Sequence, residues 1–192
     1  MLVTPIQTHM QQAKGFTLIE GLAAIAILTS AIIAPMSIAQ QGLRATFIAR
    51  DQIIAFYLAQ EAVEYLRVSR DSNKLSGGDW ADWLDEISDC QSPDHCLIDL
   101  FKQSGQYWPS SESNQRIDVC GGSPCNLIYD TALGLYGYNF AGTNSVATRF
   151  VRDVIVTPLA SGNEVQVTVT VSWQAAVGAR SVVINEFLKD LY

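Results

Sequence analysis

The sequence predicts an α+β protein in which one long N-terminal helix packs on a C-terminal antiparallel sheet. Three observations predict it. No charged side chain occurs from Gly21 to Leu43, a run of 23 residues. Beyond Gly42 the apolar residues recur at helical spacing, with charges between them. Near the end, Val165, Val167, Val169, Val171 and Trp173 alternate with Gln166, Thr168, Thr170 and Ser172, the mark of a half-buried antiparallel strand.

Residues 1–13 carry no charge and no strong period, so they read as a leader to be discarded. Lys14 follows, on the side that positive charge holds in the cytoplasm. As a helix, the uncharged run would be about 35 Å long, against about 30 Å for a bilayer's hydrocarbon core. Glu20 stands at its entry, where a carboxylate is costly without a partner and is by default functional.

Lys14-Gly15-Phe16-Thr17-Leu18-Ile19-Glu20 closely resembles the processing site of type IV prepilins and type II secretion pseudopilins. In that family a prepilin peptidase cuts after the glycine and methylates the new amino terminus. The resemblance therefore implies cleavage between Gly15 and Phe16, N-methylation of Phe16, and an assembly role for Glu20 as the fifth mature residue. It also implies a pilin-like fold and a place in the cytoplasmic (inner) membrane as a single-pass protein, with the C-terminal domain outside. Transfer to a cell-surface filament follows. The implied partners are prepilin peptidase, other pilin subunits through the N-terminal helix, and the membrane itself. Removal of residues 1–15 would leave 177 of 192 residues and, with Lys14 gone, a side-chain charge of −8 in place of −7.

A competing export reading uses Gly21 to Ala34 as the core of an ordinary secretory signal, with Ser37-Ile38-Ala39 as a small-x-small cleavage site. It would release a domain starting at Gln40. Glu20 inside the apolar entry, Lys14 at the Gly-Phe junction and the helical pattern continuing past residue 40 oppose it. Pro35 falls inside the apolar helix and predicts a kink.

In the amphipathic half, Ala49, Ile53, Phe56, Val63 and Leu66 form one apolar series, and Ile54, Leu58, Ala62 and Tyr65 a second. The helix is expected to run to about Arg70. Asp71-Ser72-Asn73 and Ser76-Gly77-Gly78 are expected to break it. Tyr57-Leu58-Ala59-Gln60-Glu61-Ala62-Val63-Glu64 is similar to minor-pilin members of the family, less specifically than the processing site.

Asp79 to Ser88 predicts a short helix with Trp80, Trp83, Leu84 and Ile87 on one side and Asp82, Asp85, Glu86 and Asp89 on the other. The acidic side lacks the Asp-x-Asp-x-Asp-Gly spacing of a calcium loop, so a solvated face is preferred. From Cys90 to Cys125 the chain reads as an irregular surface region. Its four cysteines, Cys90, Cys96, Cys120 and Cys125, read as two disulfides in an exported domain. Three connectivities are possible; the local one, Cys90–Cys96 with Cys120–Cys125, is favoured because each pair brackets a proline. Zinc fits less well, since five and four residues separate the paired cysteines and only His95 lies nearby.

Asn126 to Tyr129 and Leu135 to Phe140 read as a hairpin around Asp130-Thr131, with Tyr129, Tyr136 and Tyr138 as cross-strand packing or a contact surface. Thr148 to Thr157, Glu164 to Trp173 and Arg180 to Leu188 read as three strands. Ser161-Gly162-Asn163 and Ala175 to Gly178 supply the turns. The expected organisation is thus leader 1–15, membrane or filament-core helix 16–43, amphipathic helix 44–70, loop-rich region 71–147 with two disulfides, and antiparallel sheet 148–192.

Function classes narrow accordingly. There is no G-x-S-x-G, P-loop, dinucleotide fingerprint or H-E-x-x-H, and the histidines are His9 in the leader and His95 in a loop. No enzyme, cofactor or metal is expected. An acidic chain with no basic stripe gives no evidence of specific nucleic-acid binding. The expected function is a structural subunit, a minor pilin or pseudopilin, of a type IV pilus or type II secretion-like filament; DNA-uptake machines fall under the same resemblance. A membrane-anchored or secreted binding or adhesion module that does not assemble is the alternative.

Overall fold

A computed structural model describes residues 15–91, 93, 95–100, 116–120, 125–138, 144–176 and 178–190. Helix α1 spans Leu18–Leu75, with Pro35 inside it. Helix α2 spans Trp80–Glu86, and a 3₁₀ turn covers Ser88–Cys90. Seven strands follow: β1 Cys96–Ile98, β2 Ile117–Val119, β3 Asn126–Asp130, β4 Leu135–Gly137, β5 Ser145–Pro158, β6 Glu164–Ala175 and β7 Gly178–Lys189. The layout is α+β, one long helix followed by an antiparallel sheet. The chain divides into two compact units, 1–47 and 48–192.

In the second unit β5 is the central strand. On one side it pairs with β6, which pairs with β7. Along its other side it pairs with β3 near its start and with β1 at Val154; β4 and β2 lie outside them. All these ladders are antiparallel, and a parallel bridge joins Gln91 to Val156. The C-terminal strands fall where the alternation places them, and each is longer than its expected bounds. Gly162, at φ +74°, turns the chain from β5 to β6, a conformation that costs a side-chain-bearing residue energy.

Val165, Val167, Val169 and Val171 are fully buried, and they share one core with Ala55, Leu58, Ala59, Ala62, Val63 and Leu66 of α1. Burial of one such valine contributes roughly 1.5–3 kcal/mol relative to exposure. The helix thus covers the valine face. It does so through a stripe centred on alanines, which let the backbone approach closely. This corrects the first apolar series in part: Val63 and Leu66 are buried, but Ile53 is 56% exposed and Phe56 44%, and Ala49 is exposed too. The contact line runs through Ala55 and Ala59 and takes in Leu58 and Ala62 of the second series and Val63 and Leu66 of the first, leaving Ile53, Phe56 and Tyr57 facing outward.

The expected break at Asp71-Ser72-Asn73 is also corrected, because α1 continues to Leu75. Its stop is chemical rather than compositional. Gly78 N–H bonds the Asn73 carbonyl and Gly77 N–H the Lys74 carbonyl, with Gly77 at φ +89°. That pair of bonds around a left-handed glycine is the Schellman ending. Asp71 stays helical and pairs with Arg70 at 2.7 Å.

The irregular surface region expected from Cys90 to Cys125 is corrected in part. Cys96, Leu97 and Ile98 are buried in β1, and Ile117 of β2 is buried beside them. Residues 101–115 and 121–124 lie outside the described residues. The hairpin forms as β3 and β4, with Tyr129 opposite Tyr136 and their ring centroids 4.9 Å apart. Its expected end at Phe140 lies outside the described residues.

Candidate functional site

The sequence places its candidate site at the entry to α1. Thr17 caps the helix there. Its carbonyl accepts the N–H groups of Glu20 and Gly21, both at 3.1 Å, and its hydroxyl accepts Glu20 N–H at 3.4 Å. A threonine followed by a glutamate three residues later is a helix-start spacing that the sequence reading passed over. Glu20 therefore sits in the first turn, at the positive end of the helix dipole. Its side chain is exposed, as are Gly15 and Phe16. A Cβ added to Gly15 meets nothing within 4 Å, and its φ is not left-handed. The fold places no demand for glycine at this position.

From Phe16 to Phe47 the apolar side chains described are exposed on every side of the helix. Three hydroxyls among them bond to the helix backbone. Thr29 donates to the Ala26 carbonyl (3.0 Å), Ser30 to Ile27 (2.8 Å) and Thr46 to Gly42 (2.9 Å). From Gly21 to Leu43, where no charged side chain occurs, an apolar helix with such internally bonded hydroxyls suits the hydrocarbon of a bilayer. It is long and apolar enough to span a membrane.

In the second unit, sequence reading missed the residue that ties the elements together. Arg152 is 1% exposed. Its Nη1 donates to the Leu58 carbonyl (2.9 Å) and the Glu61 carboxylate (3.3 Å), Nη2 to the Ile98 carbonyl (2.6 Å), and Nε to the Tyr138 hydroxyl (3.1 Å). One guanidinium thus joins α1, β1, β5 and the segment after β4. The signal was present: Phe150, Arg152, Val154 and Val156 share one strand face, and a cation in that apolar series must find partners inside. Burial raises the Glu61 carboxyl above its ordinary 4.5, and Arg152 opposes the rise without cancelling it. The Tyr138 hydroxyl is likewise raised, chiefly by burial. Asp51, buried on α1, pairs with Arg149 at 2.6 Å.

The cysteines are joined Cys90–Cys96 and Cys120–Cys125, with Cα separations of 4.7 and 5.6 Å. Asp153 lies beside Cys120 and Cys125, but both sulfurs are taken up in the disulfide. Among the acids of α2, Asp79 and Asp82 cap the helix reciprocally: Asp82 N–H donates to the Asp79 carboxylate (2.9 Å) and Asp79 N–H to that of Asp82 (3.0 Å). Asp85 and Glu86 are exposed. His95 is exposed next to Cys96 and belongs to no ligand cluster among the described residues. No protein-family model, curated protein or solved structure matches the chain.

Proposed function

We propose that the chain is a filament subunit of the type IV pilin class, a minor pilin or pseudopilin, that matures by cleavage between Gly15 and Phe16. The observation that carries the reading is the entry Lys14 to Glu20 set directly before a helix whose apolar side chains, through Phe47, are exposed among the described residues. Prepilin peptidase recognises Gly15, releases Phe16 as the first residue and methylates its amine. A glycine that the fold does not need supports a role in recognition. Until assembly the helix stays in the cytoplasmic membrane, with the second unit outside.

The role of Glu20 follows from electrostatics. Packed helices exclude water, and an incoming subunit brings a terminal ammonium into that environment. Opposite charges attract far more strongly there than in water, and an unpaired one is heavily penalised. A carboxylate exposed in the first turn is available to pair with the neighbour's amine and to set its register. Two disulfides in the second unit fit an oxidising compartment outside the cytoplasm.

The deciding measurement is the mature N-terminus by mass spectrometry, in cells with and without prepilin peptidase. N-methyl-Phe16 that depends on the peptidase is the expected result. A chain starting at Gln40 would mean ordinary secretion, and an intact Met1 would mean a bitopic anchor; either overturns the proposal.

A further inference from the structure

Charge in the second unit is divided between its two ends. At one end stand Arg50 of α1, Arg149 of β5 and Arg180 of β7. Arg149 bonds Asp51, the neighbour of Arg50. Arg180 lies opposite Trp173, which lies opposite Phe150, the neighbour of Arg149. Burial raises the Tyr136 hydroxyl above its ordinary 10.0, and Arg50 and Arg149 both oppose the rise, so the two cations lie near one group. Asp51 is taken up by Arg149. Arg50 and Arg180 are exposed and form no ion pair among the described residues.

The opposite end lies about 36 Å away along β6, at roughly 3.3 Å per residue. Trp80 donates there to the Gly162 carbonyl in the turn from β5 to β6, which sets α2 at this end. Asp79, Asp82, Asp85, Glu86 and Asp89 follow one another with no cation between them. The cations nearby are matched: Lys74 pairs with Asp190, Lys189 with Glu164 and Arg70 with Asp71. One end of the unit thus carries free arginines and the other free carboxylates.

Connectivity decides which end meets a membrane. Arg50 follows Leu43, the last residue of the uncharged run, so closely that even an extended link holds it within about 25 Å of that run. We propose that, while the apolar run is held in a bilayer, Arg50 and Arg180 bring their end of the second unit onto the anionic phospholipid headgroups around it, with the acids of α2 turned away. The inference rests on the membrane placement of the helix proposed above. Each arginine near an anionic surface favours approach about fivefold, and two together roughly thirtyfold. The same surface repels the carboxylates of α2, so both ends favour one orientation.

The test uses the full chain in lipid nanodiscs, made either of neutral phosphatidylcholine or of its mixture with phosphatidylglycerol. A nitroxide on the headgroups quenches a fluorophore carried by Ala176→Cys, exposed between β6 and β7, or by Ser161→Cys, exposed between β5 and β6. The expected result is stronger quenching at position 176 in anionic than in neutral discs, reversed by salt, with little at position 161 in either. Arg50→Gln and Arg180→Gln should each lower the ratio of surface-bound to free orientation about fivefold at low salt. Equal quenching in the two lipids, equal quenching at the two positions, or glutamine variants that behave as the parent would overturn the proposal. Retention in vesicles washed with alkaline carbonate reports the anchor separately. A released chain overturns both readings, whereas an anchored chain with equal quenching overturns this one alone.

Discussion

Arg152 and Asp51 are two buried charges whose partners differ in exposure, and the difference predicts unequal effects. Removing Arg152 strips partners from the Leu58 and Ile98 carbonyls and leaves Glu61 without its cation. Arg152→Ala is expected to cost about 3–5 kcal/mol, read as a shift in the urea midpoint. In the Asp51 pair the side-chain exposures are 6% for the acid and 50% for Arg149. Arg149→Ala strands a buried carboxylate, whereas Asp51→Asn leaves an arginine free to meet water. The arginine variant should therefore be the less stable of the two by about 1–3 kcal/mol. Glu61 adds a pH signature. Its folded carboxyl holds a proton more tightly than the unfolded one, so its contribution is full below pH 4.5 and is lost as pH rises through the raised value. Denaturation of Glu61→Gln beside the parent across pH 4–7 should show the variant gaining relative stability as pH rises; a constant gap would contradict that environment. None of these contacts was visible in the chain as a string, because residue 51 meets 149, and residues 61, 98 and 138 meet 152, only when the sheet closes on the helix.

At the scale of elements, the local rules carried most of the information. The valine alternation in β6 and the apolar run of α1 are repeated signals, so neighbouring residues reinforce each other. The end of α1 was misplaced because Asp, Ser and Asn weaken a helix by small amounts, while the glycine at position 77 actually stops it. The core strand β1 was missed because three residues set no period; its burial depends on the bond from Cys96 to buried Cys90 and on pairing with β5. Replacing both Cys90 and Cys96 by alanine should lower stability by about 2 kcal/mol in a urea titration, the loop-closure value for so short a ring.

At the scale of the molecule, every residue of the described core lies at or beyond Asp51. A chain beginning at Ile48 should therefore be a soluble folded monomer by sedimentation, whereas the full chain should partition into membranes. Aggregation or unfolding of the shortened chain would mean that the apolar helix also supports the second unit. The same division frames the proposed assembly. If Glu20 pairs with a neighbour's amine, Glu20→Ala should remain processed at Gly15 but fail to enter filaments; normal incorporation would remove that role.

The sequence by itself determined the α+β layout, the long apolar helix, the three C-terminal strands and the residues at which processing and assembly are proposed. These are written in contiguous patterns, where spacing along the chain is also spacing in space. Tertiary structure alone decided which face of the helix is buried and which groups on α1 and β1 receive the Arg152 guanidinium. Each of those depends on partners up to a hundred residues away. Burial and electrostatics act through distance in space, which no local window of sequence contains.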